Sequence, residues 1–270
     1  MKKEHNIGIY NISRFQRDRI PTLDFLALGD NKHYVKGLIE LDVTKGRSYI
    51  AKYEEEMGIK LSFTAWLLKC IAEAASEHKE VHSMMMGRKR IITFEDVDIS
   101  ITVERIIKGI SVVIPLVIRK ANEKTVRQIH EEIRAAQSEK VETATVLGES
   151  KMKKRVKFYI SFPKSLRRFF IKRVLKNPLK AKQLMGTIIV TSVGMFGNLH
   201  GWPIPTTNHP LCFAVGGITK KPGVIDNNVE IRDILTMTIL FNHDVVDGAP
   251  ATRFVSHLGQ LVERGFALEQ

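Results

Sequence analysis

The side chains best placed to do chemistry lie in Leu235 to Pro250, LTMTILFNHDVVDGAP, where His243 is followed four residues on by Asp247 and then at once by Gly248. Imidazole is the side chain whose proton moves at neutral pH, so a histidine delivered to an open position is a candidate general base. Asp247 can turn back toward the same spot, because glycine permits the positive φ that a tight strand-to-helix corner often needs. H-x-x-x-D by itself is a weak pattern, and a histidine at a strand end is usually a surface or packed residue. A second pair, His78 and His82 in HKEVH, has the i,i+4 spacing that could bridge a metal. With no third ligand at a convincing spacing, an exposed helix end beside a Met-rich apolar contact at Met84 to Met86 is the better reading, and no metal is expected.

The elements around His243 follow from periodicity. Leu235, Met237, Ile239 and Phe241 alternate with Thr236, Thr238, Leu240 and Asn242, a strand with one buried face that ends at the histidine. From Ala249 onward, Phe254, Leu258, Leu261 and Val262 share one face of a helix. Upstream, Tyr34 to Val43 reads as a strand, and Thr44 opens a helix to about Met57 with Gly58 as its stop. Ser62 caps a second helix whose Phe63, Trp66, Leu67, Cys70, Ile71 and Ala74 recur at helical spacing. Arg90 to Thr93 and Val97 to Val103 are expected to pair as strands, and Gly109 to Ile118 is a further strand whose Pro115 belongs at an edge or bulge. Glu123 to Gln137 is an amphipathic helix with Val126, Ile129, Ile133 and Ala136 inside. Strands and helices in this order predict the α/β class, a two-layer sandwich with helices on one face of a mixed sheet.

Length and composition are those of an ordinary globular protein of 270 residues, and the net charge of +13 is concentrated in one place. Between Lys151 and Gly186 there are 13 Lys and Arg and no acid, and the remainder is balanced at 29 basic and 29 acidic residues. Pro163 can open a helix there, with Leu166, Phe169, Phe170 and Val174 on one side, although Arg167 and Arg173 interrupt the apolar arc. Three roles compete for residues 151–182: a lid packed near the site, a contact for phosphates, or a dock for an anionic membrane or acidic partner. No nucleic-acid motif accompanies the basic run, so nucleic acid is not expected. Cys70 and Cys212 sit inside apolar runs and read as packed thiols, which suits a reducing cytoplasm. The basic start lacks the apolar run of a signal peptide. The uncharged stretch from Gln183 is broken too often by Gly, Pro, Asn and His to span a membrane.

Three separated segments, in order, resemble one family. NHDVVDGA is similar to the H-x-x-x-D-G-A signature of the dihydrolipoamide acyltransferase catalytic domain, of the 2-oxo acid dehydrogenase acyltransferase family. GTIIVTSVGMFGN resembles its GTFTISNLGMFG. KLSFTAWLLKCIAEAASEHKEVHSMM with RIITFEDVDISITVERIIKGISVVIPLVIRKANEKTVRQIHEEI resembles its packing helix, strand pair, G-hydrophobic-x-x-x-P-x-I strand and N-x-K-[ST] helix start. The resemblance implies a chloramphenicol acetyltransferase-like fold and a homotrimer with active sites between subunits. It implies transfer of an acyl group between coenzyme A and a thiol of the dihydrolipoyl type or another small acceptor. His243 would take the thiol's proton, Thr191 would stand where the family has its oxyanion-stabilising serine, and Asp247 would hold structure. Ser192 is the fallback donor, although strand alternation points it to the opposite face. ISRFQR resembles the I-S-x-[aromatic]-x-R of the chloramphenicol enzymes and nominates Arg17 as the partner of Asp247.

The chain departs from the family in three places. Asn242-His243-Asp244 stands where D-H-R is usual. The chain enters the catalytic pattern almost at once, so a single acyltransferase domain over 1–270 is expected, without a lipoyl or subunit-binding domain and without a covalent lipoyl group. The basic insert at about 150–185 is extra. The alternatives are a catalytically idle scaffold with the same fold and a chloramphenicol-acetyltransferase-like O-acyltransferase.

Overall fold

The computed structural model describes residues 2–5, 8–13, 15, 17–29, 32–107, 110–138, 158–194 and 201–268. In chain order the strands are β1 (Lys2–His5), β2 (Gly8–Asn11), β3 (Tyr34–Asp42), β4 (Met84–Met86), β5 (Arg90–Ile92), β6 (Ile99–Ile107), β7 (Ile110–Ile118), β8 (Ile188–Ser192), β9 (Leu211–Ile225) and β10 (Asn228–Asn242). The helices are α1 (Ile20–Gly29), α2 (Thr44–Met57), α3 (Phe63–Glu77), α4 (Val126–Ser138), α5 (Lys164–Leu175), α6 (Pro178–Met185) and α7 (Gly248–Arg264). Six strands form one sheet in the order β3-β10-β9-β8-β6-β7. β8 runs parallel to β6 and β9, and the other neighbours are antiparallel. The expected mixed α/β sandwich is what forms.

Alternation in the central strands divides the sheet into two faces. On one, Ile188 and Val190, then Leu211, Phe213 and Val215, then Leu235, Met237, Ile239 and Phe241 join a single core with Trp66 and Ile71 of α3, Ile129 of α4, and Phe254 and Leu258 of α7. Fully burying a side chain of this size contributes about 1.5–3 kcal/mol, so this face carries most of the stabilisation. Ser62 caps α3 by accepting from Ala65 N, and Gly58, in the left-handed region at φ 66°, ends α2. α2 can lie on α3 because residue 46 is glycine: a Cβ there would sit 2.2 Å from the Trp66 ring. The opposite face, with Cys212, Ala214, Thr238 and Leu240, is buried as well. The segment from Gly201 crosses it, with Thr236 Oγ1 donating to the Gly201 carbonyl and Trp202 Nε1 to the Ile39 carbonyl, both at 2.9 Å. Both thiols are free and buried, and burial pushes each up to about 12. Pro115 lies on β7, the edge strand of the sheet, as expected of a strand proline.

Several expectations are corrected. Arg90–Ile92 does not pair with the strand beginning at Ile99; it pairs with Met84–Met86 in a separate two-stranded sheet, and β6 pairs with β7 and β8. The i,i+4 geometry of His78 and His82 is absent because α3 stops at Glu77. His78 packs edge-on against His257 and Phe254. His82 is buried, not at an exposed helix end, with Nδ1 3.1 Å from Thr187 Oγ1. The N-terminal stretch contains a hairpin, β1–β2, and the helix α1, for which Pro21 near its start was the available signal.

The basic segment folds, where described, into α5 and α6, packed against α1 and β4 over a small second core of Met84, Phe94, Ala181 and Met185 with Phe25, Ile92 and Leu175. Arg167, which breaks the apolar arc of α5, faces inward. The buried Asp24 of α1 accepts from Arg167 Nε at 2.7 Å, Tyr159 Oη at 3.1 Å and Arg168 Nε at 3.5 Å. Burial pushes the Asp24 carboxyl up, but these donors outweigh it and hold the group below the usual carboxylate range. Asp24→Ala is therefore expected to destabilise the α1–α5 contact by roughly 2–3 kcal/mol, less than a fully enclosed pair would lose, because Arg168 reaches water. Hydrogen exchange in 158–175 should rise while exchange in α3 stays unchanged; unchanged exchange in both would show that Asp24 is not the lock.

Two buried histidines make a pH prediction. Desolvation, with Lys182 nearby, pushes His82 down to about 4. Burial pushes His209 to about 4 against the Met185 carbonyl that accepts from its Nε2. For a depressed pKa the unfolded chain binds the extra proton, so the stabilisation is complete above about 6.5 and is lost as pH falls toward about 4. Each histidine contributes up to about 1.4 kcal/mol per pH unit in that window. The stability slope between pH 6.5 and 4 should shrink in His82→Gln; an unchanged slope would show that His82 is not its source.

Candidate functional site

His243 is the first residue beyond β10, and backbone bonds on both sides fix where it stands. Asn242 N donates to the Pro210 carbonyl at 2.9 Å, and His243 N donates to the His33 carbonyl at 2.7 Å. The Asn242 carbonyl then accepts from Val245 N and Val246 N, each at 3.1 Å, which closes the turn. The imidazole is left 47% exposed, so it is neither sealed in the core nor adrift on a loop. Asp247 Oδ1 lies 3.8 Å from His243 Nδ1, longer than a hydrogen bond, so the carboxylate stands beside the imidazole without bonding to it. Gly248 enters α7 directly and is not in the left-handed region, so the corner does not use the freedom expected of it.

Asp244, which replaces the family's usual base, does not reach the imidazole. Its Oδ1 is 2.8 Å from His33 Nδ1, and Asp244 N is 3.3 Å from Asn242 Oδ1. The altered flanks thus bond to His33, just ahead of β3, and to each other, and leave His243 open. Asp247 and Arg17 do not pair. Arg17 is exposed in a 3-10 turn before α1, and among the described residues no Lys or Arg lies within 4 Å of the Asp247 carboxylate, which instead stands beside His243. The expected pairing is corrected on that point; α1 is instead held through Asp24.

Thr191 pairs with Ala214, and Ala214 with Thr238. Thr238 is five residues before His243, so at about 3.3 Å per residue and 4.8 Å per strand Thr191 lies roughly 16 Å along and 10 Å across from it. One chain does not bring the two together. Ser192 points to the helix-covered side and lines a cavity of about 620 Å³ with Arg47, Lys60, Phe63 and Arg134. Gly194 ends the TSVG run because a Cβ there would sit 1.9 Å from the Gly216 carbonyl.

A second cavity, of about 420 Å³, is lined by both neighbours of His243, Asn242 and Asp244, with Lys32, Arg88, Lys176 and Asn208 also in its wall. Lys32 Nζ donates to the Asn208 carbonyl, and burial pushes its ammonium down to about 8 although Asp244 pulls the other way. Asn208 Nδ2 donates to the Phe25 carbonyl at 2.7 Å. Sequence reasoning missed Lys32, Asn208 and His209. The signal was the uncharged polar run Thr206-Thr207-Asn208-His209 ahead of an apolar strand, three of whose members are buried.

A mixed sheet, helices on one face and a histidine at the end of the last strand define a chloramphenicol acetyltransferase-like architecture. Chloramphenicol acetyltransferase itself superposes with a TM-score of 0.52 at 12% identity, over 97% of this chain and all of that one. The family model for the 2-oxoacid dehydrogenases acyltransferase (catalytic domain) matches residues 33–161 and 165–268, and the chain belongs to that family. The lipoamide acyltransferase component of the branched-chain alpha-keto acid dehydrogenase complex of Bacillus subtilis (strain 168) is 27% identical over 84% of this chain and 46% of its own length. The probable dihydrolipoamide acetyltransferase of Listeria monocytogenes superposes with a TM-score of 0.70 at 21% identity, covering 95% and 96% of the two chains. The chain spans about half the length of the curated relatives it matches. No helix among the described residues is long and apolar enough to cross a membrane.

Proposed function

We propose that the chain is an acyltransferase domain that moves an acyl group between coenzyme A and a thiol of the dihydrolipoyl type, in a trimer whose active sites lie between subunits. The observation that carries this reading is the placement of His243, half-exposed at the end of β10 with Asp247 beside Nδ1 and Asp244 turned away. A free imidazole has a pKa near 6.5 and a thiol near 8.5, so a neutral histidine can draw off the thiol proton as the sulfur attacks a thioester. The tetrahedral oxyanion needs a donor, and Thr191 is the hydroxyl assigned to it. The separation of Thr191 from His243 within one chain is what a site shared by two chains requires. Coenzyme A enters as substrate and no metal takes part. The buried thiols suit a reducing cytoplasm.

Incubating the protein with acetyl-CoA or succinyl-CoA and dihydrolipoamide, while following thioester formation, tests the proposal. Transfer that depends on His243 supports it. Its absence with every donor would favour a scaffold of the same fold.

A further inference from the structure

We propose that the 420 Å³ cavity beside the His243 turn, roofed by the end of α5, is a subsite for an anionic group, a carboxylate or a phosphate, carried by the substrate. The inference rests on the acyltransferase reading for what the substrate is, but not for the binding itself.

The lining of the cavity is partly basic and partly apolar. Lys32, Arg88 and Lys176 line it, with Met84, Met85, Leu175 and Met185 between them. A neighbouring cavity of about 370 Å³ shares Lys32, Lys176 and Asn208 and adds Lys172. Among the described residues, none of these four cations has a carboxylate within 4 Å. The one acid in the wall, Asp244, is held by His33. Arg88, Lys172 and Lys176 reach water, but Lys32 is partly buried, and a cation so placed is costly to desolvate unless an anion joins it. Lys32 shows that cost in its lowered pKa, which an anion would reverse.

The second observation is Asn208. Its side chain is buried, and because Nδ2 donates to Phe25, Oδ1 is the free end and has no partner. A buried acceptor without a donor is costly, and it sits on a residue that lines both cavities. An occupant with an anionic group answers the cluster of cations. Lys172, Leu175 and Lys176 belong to the basic segment, which is thereby explained: its last turn closes this subsite, and Asp24 with Arg167 holds that helix in place.

The test uses the full chain and the exposed cations. Succinate and inorganic phosphate are titrated calorimetrically into the protein, into the double variant Arg88→Ala with Lys176→Ala, and into His243→Ala. Saturable binding that weakens about tenfold or more in the double variant but persists in His243→Ala is expected, since each charge-assisted contact is worth about that factor. No saturable binding, or equal affinity in the double variant, would overturn the subsite. Steady-state rates with succinyl-CoA, acetyl-CoA and dephospho-CoA thioesters then identify the source of the anion. A KM rise confined to succinyl-CoA places the acyl carboxylate there, and a rise for every donor except the dephospho forms places the coenzyme's phosphate there. Weakened anion binding with no KM change for any donor would overturn the substrate role. Absence of transfer in the unaltered protein, with anion binding intact, would count against the acyltransferase reading and not the subsite.

Discussion

Replacing His243 with alanine is expected to lower acyl transfer by about 100- to 10,000-fold, the usual contribution of a positioned general base. The fold should survive. The imidazole is 47% exposed, and the bonds that hold the turn, to the His33 and Pro210 carbonyls, are made by backbone. The melting temperature should therefore move little while kcat collapses. Raising the pH should partly restore the variant, because more thiol ionises without help as pH approaches about 8.5. A variant with near-native activity would remove His243 from the mechanism; one that unfolds would show that the side chain has a structural role not visible in its exposure.

Thr191→Ala should cost kcat about 100-fold or more, the loss seen when one oxyanion donor is removed. Thr191→Ser, which keeps the hydroxyl, should recover most of it. Ser192→Ala is the internal control. The two hydroxyls are adjacent in β8 but project from opposite faces, and Ser192 lines the cavity on the helical side. Losses of equal size in both variants would mean that β8 is distorted as a whole. A loss confined to Ser192→Ala would move the oxyanion role to the other face and to the wall shared with Arg47 and Lys60.

Much of this arrangement was legible in the sequence, because periodicity reports which face of an element is buried. The alternation from Leu235 to Asn242 located β10 and its terminal histidine, and Ser62 and Gly58 marked real helix ends. Pairing was less legible. Arg90–Ile92 is as apolar as a strand of the main sheet, and only the tertiary arrangement sends it to Met84–Met86. Buried polar groups were the least legible of all. Asp24, Lys32, Asn208 and His209 look like surface residues in a linear reading, and their roles come from partners more than 20 residues away, such as Arg167, Phe25 and Met185. For the same reason the basic segment read as an oddity: its inward arginine has meaning only once Asp24 faces it.

The claim on which the rest depends is that two chains build one site, the first supplying His243 and the second Thr191. Mixing inactive chains tests it most directly. His243→Ala and Thr191→Ala proteins, each inactive alone, are co-expressed at equal levels and assayed for transfer from acyl-CoA to dihydrolipoamide. In a closed cyclic trimer of random composition about one quarter of the interfaces would pair an intact histidine with an intact threonine, so activity should return to roughly that fraction. Mixed assemblies as inactive as either parent would show that the two side chains are not contributed by different subunits, and the shared-site account would be wrong.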